Sequence, residues 1–424
     1  PATSSWQQPP GQRVREVGEQ GLRSALATYA DDQPRVVVAG NHATPSALLD
    51  ALDAVLPRYR LVMLNAQQGV PDRVGIVHET PFVGPGVRDS PRLVYLPARL
   101  SLVPRMLATS LVPDIVLLHT TAPRDGAVSL GIEVNILPAA IEAVRRRGGL
   151  VITQLNAHMP WTCGDSVVST ELIDLAFEAG QPLSAPDTGL AVQADDPIAD
   201  RTARLVADGA TLQAGIGAVP DAVLASLRHH RRLRIWTEIF SDGVLHLERA
   251  GALERDRPLV TSFLYGSAEL LDWVRDNPRV QMRRTETVND PARIARQRRM
   301  TSLNTALQVD TFGQANATWI RGRVYSGLGG QSDFVVGALH SRDGLAILAL
   351  PSWHPKAQRS TIVSRLDGPV SSFQHSWVVS EHGAAALWPQ PQRAQALHLI
   401  DRVAHPAARE QLMEQSYATG ALGT

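Results

Sequence analysis

Hydrophobic residues recur along the chain in short blocks that alternate with segments of helical spacing. Residues 35–40 and Leu150–Leu155 are rich in branched apolar side chains and have the length of buried strands. Residues 135–147, which precede the second block, repeat apolar positions with the period of an amphipathic helix. This alternation predicts an α/β fold whose mostly parallel sheets are covered by helices on both faces.

The pattern runs through two successive halves. A chain of 424 residues is too long for one ordinary core. Residues 181–197 are rich in Pro, Asp, Ala and Gly, lack periodicity and are interpreted as an interdomain linker. We therefore predict a flexible N-terminus at residues 1–15, a first α/β domain at residues 16–190 and a second at residues 198–424.

Glu238 lies in a stretch, residues 232–243, that begins as a short apolar strand and ends in Ser-Asp-Gly. This pattern predicts a strand followed by a turn, with Glu238 near the carboxyl end of the strand, where open α/β sheets bind ligands. A carboxylate at that position is either a nucleophile or base, or else a helix-capping or salt-bridged group. The local pattern leaves both interpretations open.

Two glycine-rich stretches also precede predicted helices. Residues 327–330 contain three glycines before a helix at residues 331–340, so their backbone N–H groups are candidates to bind an oxyanion or a phosphate. Gly215 and Gly217 form a bare Gly-x-Gly between a strand and a helix, for which tight packing is the simpler explanation. Residues 300–310 alternate apolar and polar side chains and predict a half-buried strand.

Composition restricts the possible functions. The 41 basic residues balance 41 acidic ones, which removes any bulk electrostatic case for nucleic acid or an anionic membrane. Cys163 is the only cysteine, so a disulfide scaffold or a thiolate metal site is excluded and a cytoplasmic location is predicted. We predict no signal peptide, because residues 1–15 are polar and have no apolar core. We predict no membrane span, because no run approaches ~18 apolar residues.

Several of these stretches, taken together and in order, resemble the acetyl-CoA hydrolase/transferase family. This family is the branch of the class I CoA-transferases that includes 4-hydroxybutyrate CoA-transferase. The stretches that carry the resemblance are residues 82–88, 125–131, 159–166, 215–220, 237–243, 302–310 and 327–334.

The resemblance implies two related α/β domains with the active site in the interdomain cleft. It implies acyl-CoA and small carboxylic acids as substrates, coenzyme A as substrate and product, no permanently bound cofactor, no metal, and a homodimer or larger homo-oligomer. The site residues that it implies are Glu238 as the catalytic group; Gly327, Gly329, Gly330 and Gln331 for the oxyanion or CoA; Asn289, Glu381, Gly215 and Gly217 in support; and His354 and His382 in the substrate pocket.

The chain departs from the family pattern at two places. Trp353 and His354 stand where small residues are common, and His382 stands where the family usually has an aromatic residue between Glu381 and a glycine. These departures bear on the choice of substrate more than on the chemistry.

A glutamate suits this chemistry because an unperturbed glutamate is ionised at pH 7 and can attack a thioester without a helper base. The resemblance implies an acyl-glutamyl anhydride, then a glutamyl-CoA thioester that an incoming carboxylate resolves. Hydrolysis by the same glutamate is the first alternative, and a non-catalytic CoA-binding protein is the second. A nicotinamide dehydrogenase is disfavoured because the Gly215–Gly217 fingerprint is incomplete.

Overall fold

The computed structural model describes residues 14–183, 196–370 and 374–423, and these residues form two compact units. Within the described ranges, unit 1 holds residues 14–98, 102–183 and 262–286. Unit 2 holds residues 99–101, 196–261, 287–370 and 374–423. Most of the predicted flexible N-terminus and of the predicted linker, at residues 1–13 and 184–195, lies outside the described residues.

Unit 1 is built on an eight-stranded sheet in which every neighbouring pair is parallel. The central strands are almost wholly buried, as expected for strands covered on both faces. In spatial order the strands are Arg15–Glu16, Leu175–Glu178, Leu150–Leu155, Ile115–Thr120, Arg35–Val38, Tyr59–Val62, Ile76–Thr80 and Leu93–Tyr95.

Helices and short strand pairs complete unit 1. The helices are Glu19–Ala27, Ser46–Val55, Val103–Thr109, Leu137–Arg147 and Ala268–Val274, with 3-10 turns at Asn41–Ala43 and Thr170–Leu172. Ala127–Ser129 pairs antiparallel with Val167–Ser169, and Cys163–Gly164 pairs parallel with Val280–Met282. Phe263–Leu264 is a further short strand.

The units do not follow the contiguous boundaries predicted from the sequence. Residues 262–286 fall inside the predicted second domain but group with unit 1. Backbone hydrogen bonds explain this assignment, because Val134 N–H donates to Ser262 and Leu264 N–H donates to Ile132, at 3.0 and 2.9 Å.

Unit 2 is built on a six-stranded sheet. Five strands are parallel and the last is antiparallel. Their spatial order is Arg234–Ile235, Thr211–Ala214, Met300–Asn304, Leu345–Ala349, Trp377–Val379 and Ala384–Ala386.

The prediction of one half-buried strand at residues 300–310 is wrong. The stretch forms two strands, Met300–Asn304 and Gln308–Asp310, which belong to different sheets. The first is buried along nearly its whole length because it lies in the centre of the parallel sheet, where both faces are covered. The alternation of apolar and polar side chains in this stretch therefore does not mean that the polar ones are exposed to solvent.

The remaining elements of unit 2 surround this sheet. The helices are Pro197–Ala203, Ala218–Ser226, Asp242–Arg249, Pro291–Ala295, Gln331–His340, Gln392–His398 and Arg409–Ala418, with a π-helical turn at Leu399–Val403 and 3-10 turns at Leu227–His229 and Pro406–Ala408. The short strands are Ile239–Phe240, Leu259–Thr261, Ala315–Asn316, Trp319–Ile320, Arg323–Val324, Trp353–His354, Arg359–Ser360 and Ile362–Val363. Two short helical segments, Leu100–Leu102 and Thr285–Val288, contain residues assigned to both units.

The predicted α/β class with mostly parallel sheets is confirmed. Among the helices of the described residues, none combines the length and the apolar character that crossing a membrane requires.

Candidate active site

Glu238 lies beyond the carboxyl end of the Arg234–Ile235 strand, as predicted. Its backbone is held from both sides, because Thr237 N–H donates to Val260 O at 3.0 Å and Thr261 Oγ1 donates to Glu238 O at 3.2 Å. The following Ser241 is the N-cap of the Asp242–Arg249 helix. The Ser-Asp-Gly motif therefore starts a helix directly after the short Ile239–Phe240 strand that follows Glu238.

Asn289 is a direct partner of the Glu238 carboxylate. Its Nδ2 donates to Glu238 Oε2 at 2.8 Å. Asn289 is fully buried, and its Oδ1 has no hydrogen-bond partner among the described residues. The neighbouring Asp290 instead caps the Pro291–Ala295 helix through the N–H of Ala292. Of two adjacent polar side chains, one therefore contacts Glu238 and the other starts a helix.

Gly330 lies against the same carboxylate. A Cβ atom at Gly330 would be 1.9 Å from Glu238 Oε2 and 2.3 Å from Asn289 Nδ2, so no side chain fits without displacing these groups. Gly329 has a φ of +55°, in the left-handed region that favours glycine. The oxygen of Gly327 accepts a hydrogen bond from Thr318 Oγ1 at 3.0 Å. Gly329 and Gly330 are thus required for different reasons, one by conformation and the other by space.

A small hydrophobic cluster brings these three features together. Hydrophobic residues near Glu238, Asn289 and the glycine loop in the sequence are buried against one another, and this packing restrains the segments that carry the three polar features. The cluster consists of Val260, Val288, Ile294, Met300, Phe334 and Ala338, with Trp236 packed against it.

The surroundings of Glu238 disfavour its charged form. Loss of contact with water raises the pKa of Glu238 to about 7, against the opposing hydrogen bond from Asn289, and the negative charge of Asp333 adds to the increase. The expectation of an unperturbed glutamate is therefore wrong, because burial at this site cannot be read from local sequence. The neutral form of Glu238 is therefore populated at a higher pH than in an exposed glutamate.

Gln331 and the residue after it begin the helix that follows the glycine loop. The buried Gln331 Nε2 and Ser332 Oγ have no hydrogen-bond partner among the described residues. Both are polar groups in the first turn of a helix, where the exposed N–H groups also favour an anion. The CoA-binding role of Gln331 stays a prediction.

The Gly215–Gly217 loop is not explained by tight packing. A Cβ at Gly217 would meet no atom within 4 Å, and at Gly215 only an ordinary contact of 3.8 Å with Pro220. Gly217 has a φ of +113° and precedes the Ala218–Ser226 helix without a side-chain cap. The loop is therefore open, and the glycine at Gly217 is required by backbone conformation.

Glu381 lies in a second cluster on the same sheet. It accepts hydrogen bonds from the N–H and Oγ of Ser352, and its Oε1 lies 3.7 Å from His382 Nε2. Burial opposes its ionisation, but the bonds from Ser352 and the nearby His382 hold the pKa of Glu381 below its usual value. His382 packs edge-on against His405, which also contacts Trp353.

The order of the strands separates this cluster from Glu238. Ser352 and Glu381 follow Leu345–Ala349 and Trp377–Val379, which lie three and four strands from Arg234–Ile235. At ~4.8 Å per strand, Glu381 is roughly 19 Å from Glu238 along the carboxyl edge. His354, predicted for the substrate pocket, is exposed, and its Nδ1 accepts from the N–H of Ala357.

Sequence reasoning missed the groups that support the glycine loop. Asp333 is fully buried, and both of its carboxylate oxygens accept hydrogen bonds from Ser101. Asp333 stood in a recognised motif without an assigned role. Ser101 lies 232 residues away along the chain, and no local signal connects the two.

Unit 1 contains a cavity of about 240 Å³ near the carboxyl ends of its central strands. None of the site residues predicted from the sequence lines it. Its lining includes Asn41, His42, Ser46, Gln67, Gln68 and Gln181. In the part of the chain that the structure describes, no group of three or more His, Cys, Asp or Glu side chains is arranged to hold a metal ion.

Two family models match this chain. The acetyl-CoA hydrolase/transferase N-terminal domain matches residues 71–181, and the corresponding C-terminal domain matches residues 266–416. The chain is 36% identical to 4-hydroxybutyrate coenzyme A transferase of Clostridium kluyveri over 353 aligned residues. These residues are 80% of this chain and 81% of that protein.

A second relative and a solved structure extend the comparison. An acetyl-CoA hydrolase of Candida albicans is 31% identical over 223 residues, which are 50% of this chain and 41% of that protein. The crystal structure of RipA from Yersinia pestis superposes with a TM-score of 0.86 at 27% identity, over 96% of this chain and 98% of that chain.

Proposed function

This chain belongs to the acetyl-CoA hydrolase/transferase family and is an enzyme of the CoA-transferase family, and we propose that it transfers coenzyme A from an acyl-CoA to a carboxylic acid through Glu238. One observation carries the proposal. The Glu238 carboxylate is held by Asn289 at 2.8 Å, beside a glycine at which no side chain fits. A binding protein without chemistry has no need of this arrangement.

The first step is attack of a Glu238 oxygen on the thioester carbonyl. A carbon–oxygen bond forms, the carbon–sulfur bond breaks, and CoA leaves as a thiolate, which produces an acyl-glutamyl anhydride. The thiolate then attacks the glutamyl carbonyl and releases the first acid as a carboxylate. Reversal with an incoming carboxylate regenerates Glu238 and gives the new acyl-CoA, so no oxidant, reductant or metal enters the balance.

The position of Asn289 assigns different tasks to the two oxygens of Glu238. Oε2 accepts from Asn289, and we assign Oε1 as the attacking atom. A carboxylate with a pKa near 7 is more basic than an ordinary one, so its ionised form is a better nucleophile. The cost is that only part of the enzyme is ionised at neutral pH.

The attack places negative charge on the thioester oxygen. The backbone N–H groups of Gly329 and Gly330 are the donors that we assign to this oxyanion, since Gly330 lies against the nucleophile. A donor of this kind contributes about 3–4 kcal/mol to transition-state stabilisation. Coenzyme A is accordingly a substrate and product rather than a resident cofactor.

Hydrolysis is the second candidate, and the similarity to an acetyl-CoA hydrolase favours it. Both reactions share the glutamyl-CoA thioester and differ in whether water or a carboxylate resolves it. Thiol release from acetyl-CoA or succinyl-CoA, measured with and without added acetate, propionate or succinate, separates them. Acceptor-dependent formation of a new acyl-CoA supports transfer, and acceptor-independent thiol release supports hydrolysis.

The nucleophile is tested by trapping. Enzyme incubated with acyl-CoA and reduced with borohydride should carry a modification on the peptide that contains Glu238, identified by mass spectrometry. Glu238→Gln should lower kcat by at least about a thousandfold and abolish the label. Labelling at another residue, or full activity of the variant, would refute the assignment.

We also propose a cytoplasmic homodimer or larger homo-oligomer that acts on small carboxylic acids. The family resemblance supports the oligomer, and the single cysteine supports the location. Light scattering coupled to size-exclusion chromatography measures the first property. A mass equal to one chain of 45.9 kDa would contradict it.

A further inference from the structure

Residues 99–101 belong to unit 2, although the residues on both sides of them belong to unit 1. This short segment makes three hydrogen bonds to the region around the glycine loop. Leu100 N–H donates to Gly329 O at 2.9 Å, and the N–H and Oγ of Ser101 donate to the two oxygens of Asp333 at 3.1 and 2.8 Å. The segment therefore holds the loop and the first turn of the helix that follows it.

The bond from Leu100 sets the direction of one candidate oxyanion donor. In a trans peptide the C=O and the next N–H point in opposite directions. Because Gly329 O points towards Leu100, Gly330 N–H points away from Leu100. Fixing one end of this peptide therefore fixes the other.

Asp333 is the anchor of the segment. It lies in the first turn of the Gln331–His340 helix, and its side chain is fully buried. A buried carboxylate without partners is costly, and here the two donors of Ser101 satisfy it, with Arg99 3.9 Å away. A helix N-terminus also favours a negative charge.

We propose that Ser101 and Asp333 are positioning residues that hold the Gly329–Gly330 peptide for the oxyanion and place a negative charge near Glu238. The inference rests on the proposed role of Glu238 as nucleophile. It gives a structural role in unit 2 to residues 99–101, which are far from the glycine loop in sequence. It gives the same kind of role to Asp333, a buried aspartate that takes no covalent part in the reaction.

The charges around these groups give the proposal a measurable consequence. Burial raises the pKa of Asp333 to about 6, and the charge of Asp290 adds to the increase, while Ser101 and Arg99 oppose it. Glu238 accepts a hydrogen bond from Asn289, and Asp333 is close enough for its charge to act on the Glu238 carboxylate. Above pH 6 Asp333 is mostly ionised, and its charge disfavours ionisation of Glu238.

Two variants separate the two effects. Asp333→Asn removes the charge, so the acid limb of kcat/KM, expected near pH 7 in the wild type, should move to lower pH by about one unit. Ser101→Ala keeps the Asp333 carboxyl group and the two backbone hydrogen bonds but removes the one from the Ser101 hydroxyl, which loosens the loop, so kcat should fall severalfold with little change in the KM for acyl-CoA. Ser101→Thr keeps the hydroxyl and should restore most of the activity.

Asp310→Asn is the matched control. Asp310 is also a buried aspartate of unit 2 with a raised pKa, and it accepts from the N–H groups of Phe312 and Gln314. Its substitution should lower the melting temperature without moving the acid limb. Hydrogen exchange of the peptide that covers residues 327–331 gives a readout independent of turnover and should become faster in Ser101→Ala.

The outcomes distinguish this inference from the proposed function. Activity in Glu238→Gln would refute the function. If Glu238→Gln is inactive, but Asp333→Asn leaves the acid limb in place and Ser101→Ala changes neither kcat nor exchange, the positioning role is refuted and the nucleophile stands. An equal shift of the acid limb in Asp310→Asn would also overturn it, because the effect would then be a general one.

Discussion

The raised pKa that we expect to make Glu238 a better nucleophile also makes the folded protein less stable at high pH. Its pKa is raised to about 7 in the folded protein, whereas an unfolded glutamate titrates near ~4.3, so the folded state binds the proton more tightly. Stability is therefore lost as the pH rises from the lower value through the higher one. Glu238→Gln keeps an acceptor for Asn289 but carries no charge. We expect it to be more stable than the wild type at pH 8, by at least about 1 kcal/mol or roughly 2 °C in melting temperature.

The control for this prediction is the pH itself. Near pH 5 the folded wild type has Glu238 mostly protonated, so the gain should shrink when both proteins are melted there. Calorimetry at both pH values gives the comparison. A gain of the same size at pH 5 and pH 8 would contradict an ionisation effect.

Gly330 tests the space beside the nucleophile. In Gly330→Ala the new methyl would lie 1.9 Å from Glu238 Oε2. The φ of residue 330 is −94°, which alanine adopts without strain. Both close contacts, with Glu238 Oε2 and with Asn289 Nδ2 at 2.3 Å, are with the ends of side chains, so the fold can accommodate the methyl by displacing these two groups. We expect kcat/KM to fall at least about a hundredfold with little loss of stability.

Gly368→Ala is the matched control for that substitution. A Cβ at Gly368 would have Trp319 Cβ as its nearest neighbour, at 3.9 Å, so this variant should retain wild-type rates and melting temperature. Steady-state kinetics and thermal melts of both variants test the pair. Retained activity in Gly330→Ala would show that the alanine fits and that crowding at Glu238 is not required.

At the scale of single residues, sequence reasoning identified the groups but not their state. Glu238, Asn289 and Gly330 were all named, and the structure brings them into contact. The raised pKa of Glu238 was not predicted, because it arises first from burial by segments far apart along the chain and then from the charge of Asp333. Tight packing was predicted at Gly217, but a Cβ there would meet no atom within 4 Å. The sequence could not show this, because the space around a residue depends on segments that are distant along the chain.

At the scale of secondary structure, Asn289 depends on one side-chain link. Trp236, just beyond the strand that leads to Glu238, donates from Nε1 to Val288 O at 2.9 Å, beside Asn289. Trp236→Phe removes this bond and keeps most of the packing. We expect a loss of about 1 kcal/mol in stability and a severalfold fall in kcat, because Asn289 is less well aligned with Glu238.

The exposed Trp388 supplies the control for this variant. Trp388→Phe changes the same side chain at a position that is 55% exposed, so neither property should change. Thermal melts and kcat measured side by side decide the matter. If Trp236→Phe loses stability but keeps full kcat, the link supports the fold without aligning the site.

Sequence periodicity predicted elements well where one segment makes one element. The predicted strand at residues 150–155 and the helix at residues 331–340 have the observed bounds. Residues 300–310 were assigned one strand because their alternation continues across a break between two sheets. The 3-10 turn at Leu100–Leu102 had no periodic signal, although its hydrogen bonds hold the glycine loop.

At the scale of the whole molecule, contiguous domains were the natural prediction from one sequence. Composition marks linkers, and residues 181–197 have that composition, whereas nothing marks a segment that packs with distant neighbours. The fold class could be read from the alternation of elements. The membership of residues 99–101 and 262–286 depends on three-dimensional hydrogen bonding.

Residues 262–286 give the final prediction, which concerns the stability of unit 1 alone. Fragment 14–190 follows the predicted first domain but lacks this segment. It therefore loses the acceptor of Val134 N–H, which is Ser262 O, and the N–H donors of Leu264 and Thr285 to Ile132 O and Asn135 O. Pairing of Cys163–Gly164 with Val280–Met282 is lost as well. At about 1 kcal/mol for each hydrogen bond, the loss approaches the ~5–15 kcal/mol that holds a domain folded. We therefore expect fragment 14–190 to be largely unfolded. The same fragment joined to residues 262–286 by a flexible Gly/Ser linker of about 20 residues should melt cooperatively by circular dichroism. Equal melting of the two fragments would show that the segment is not an integral part of unit 1.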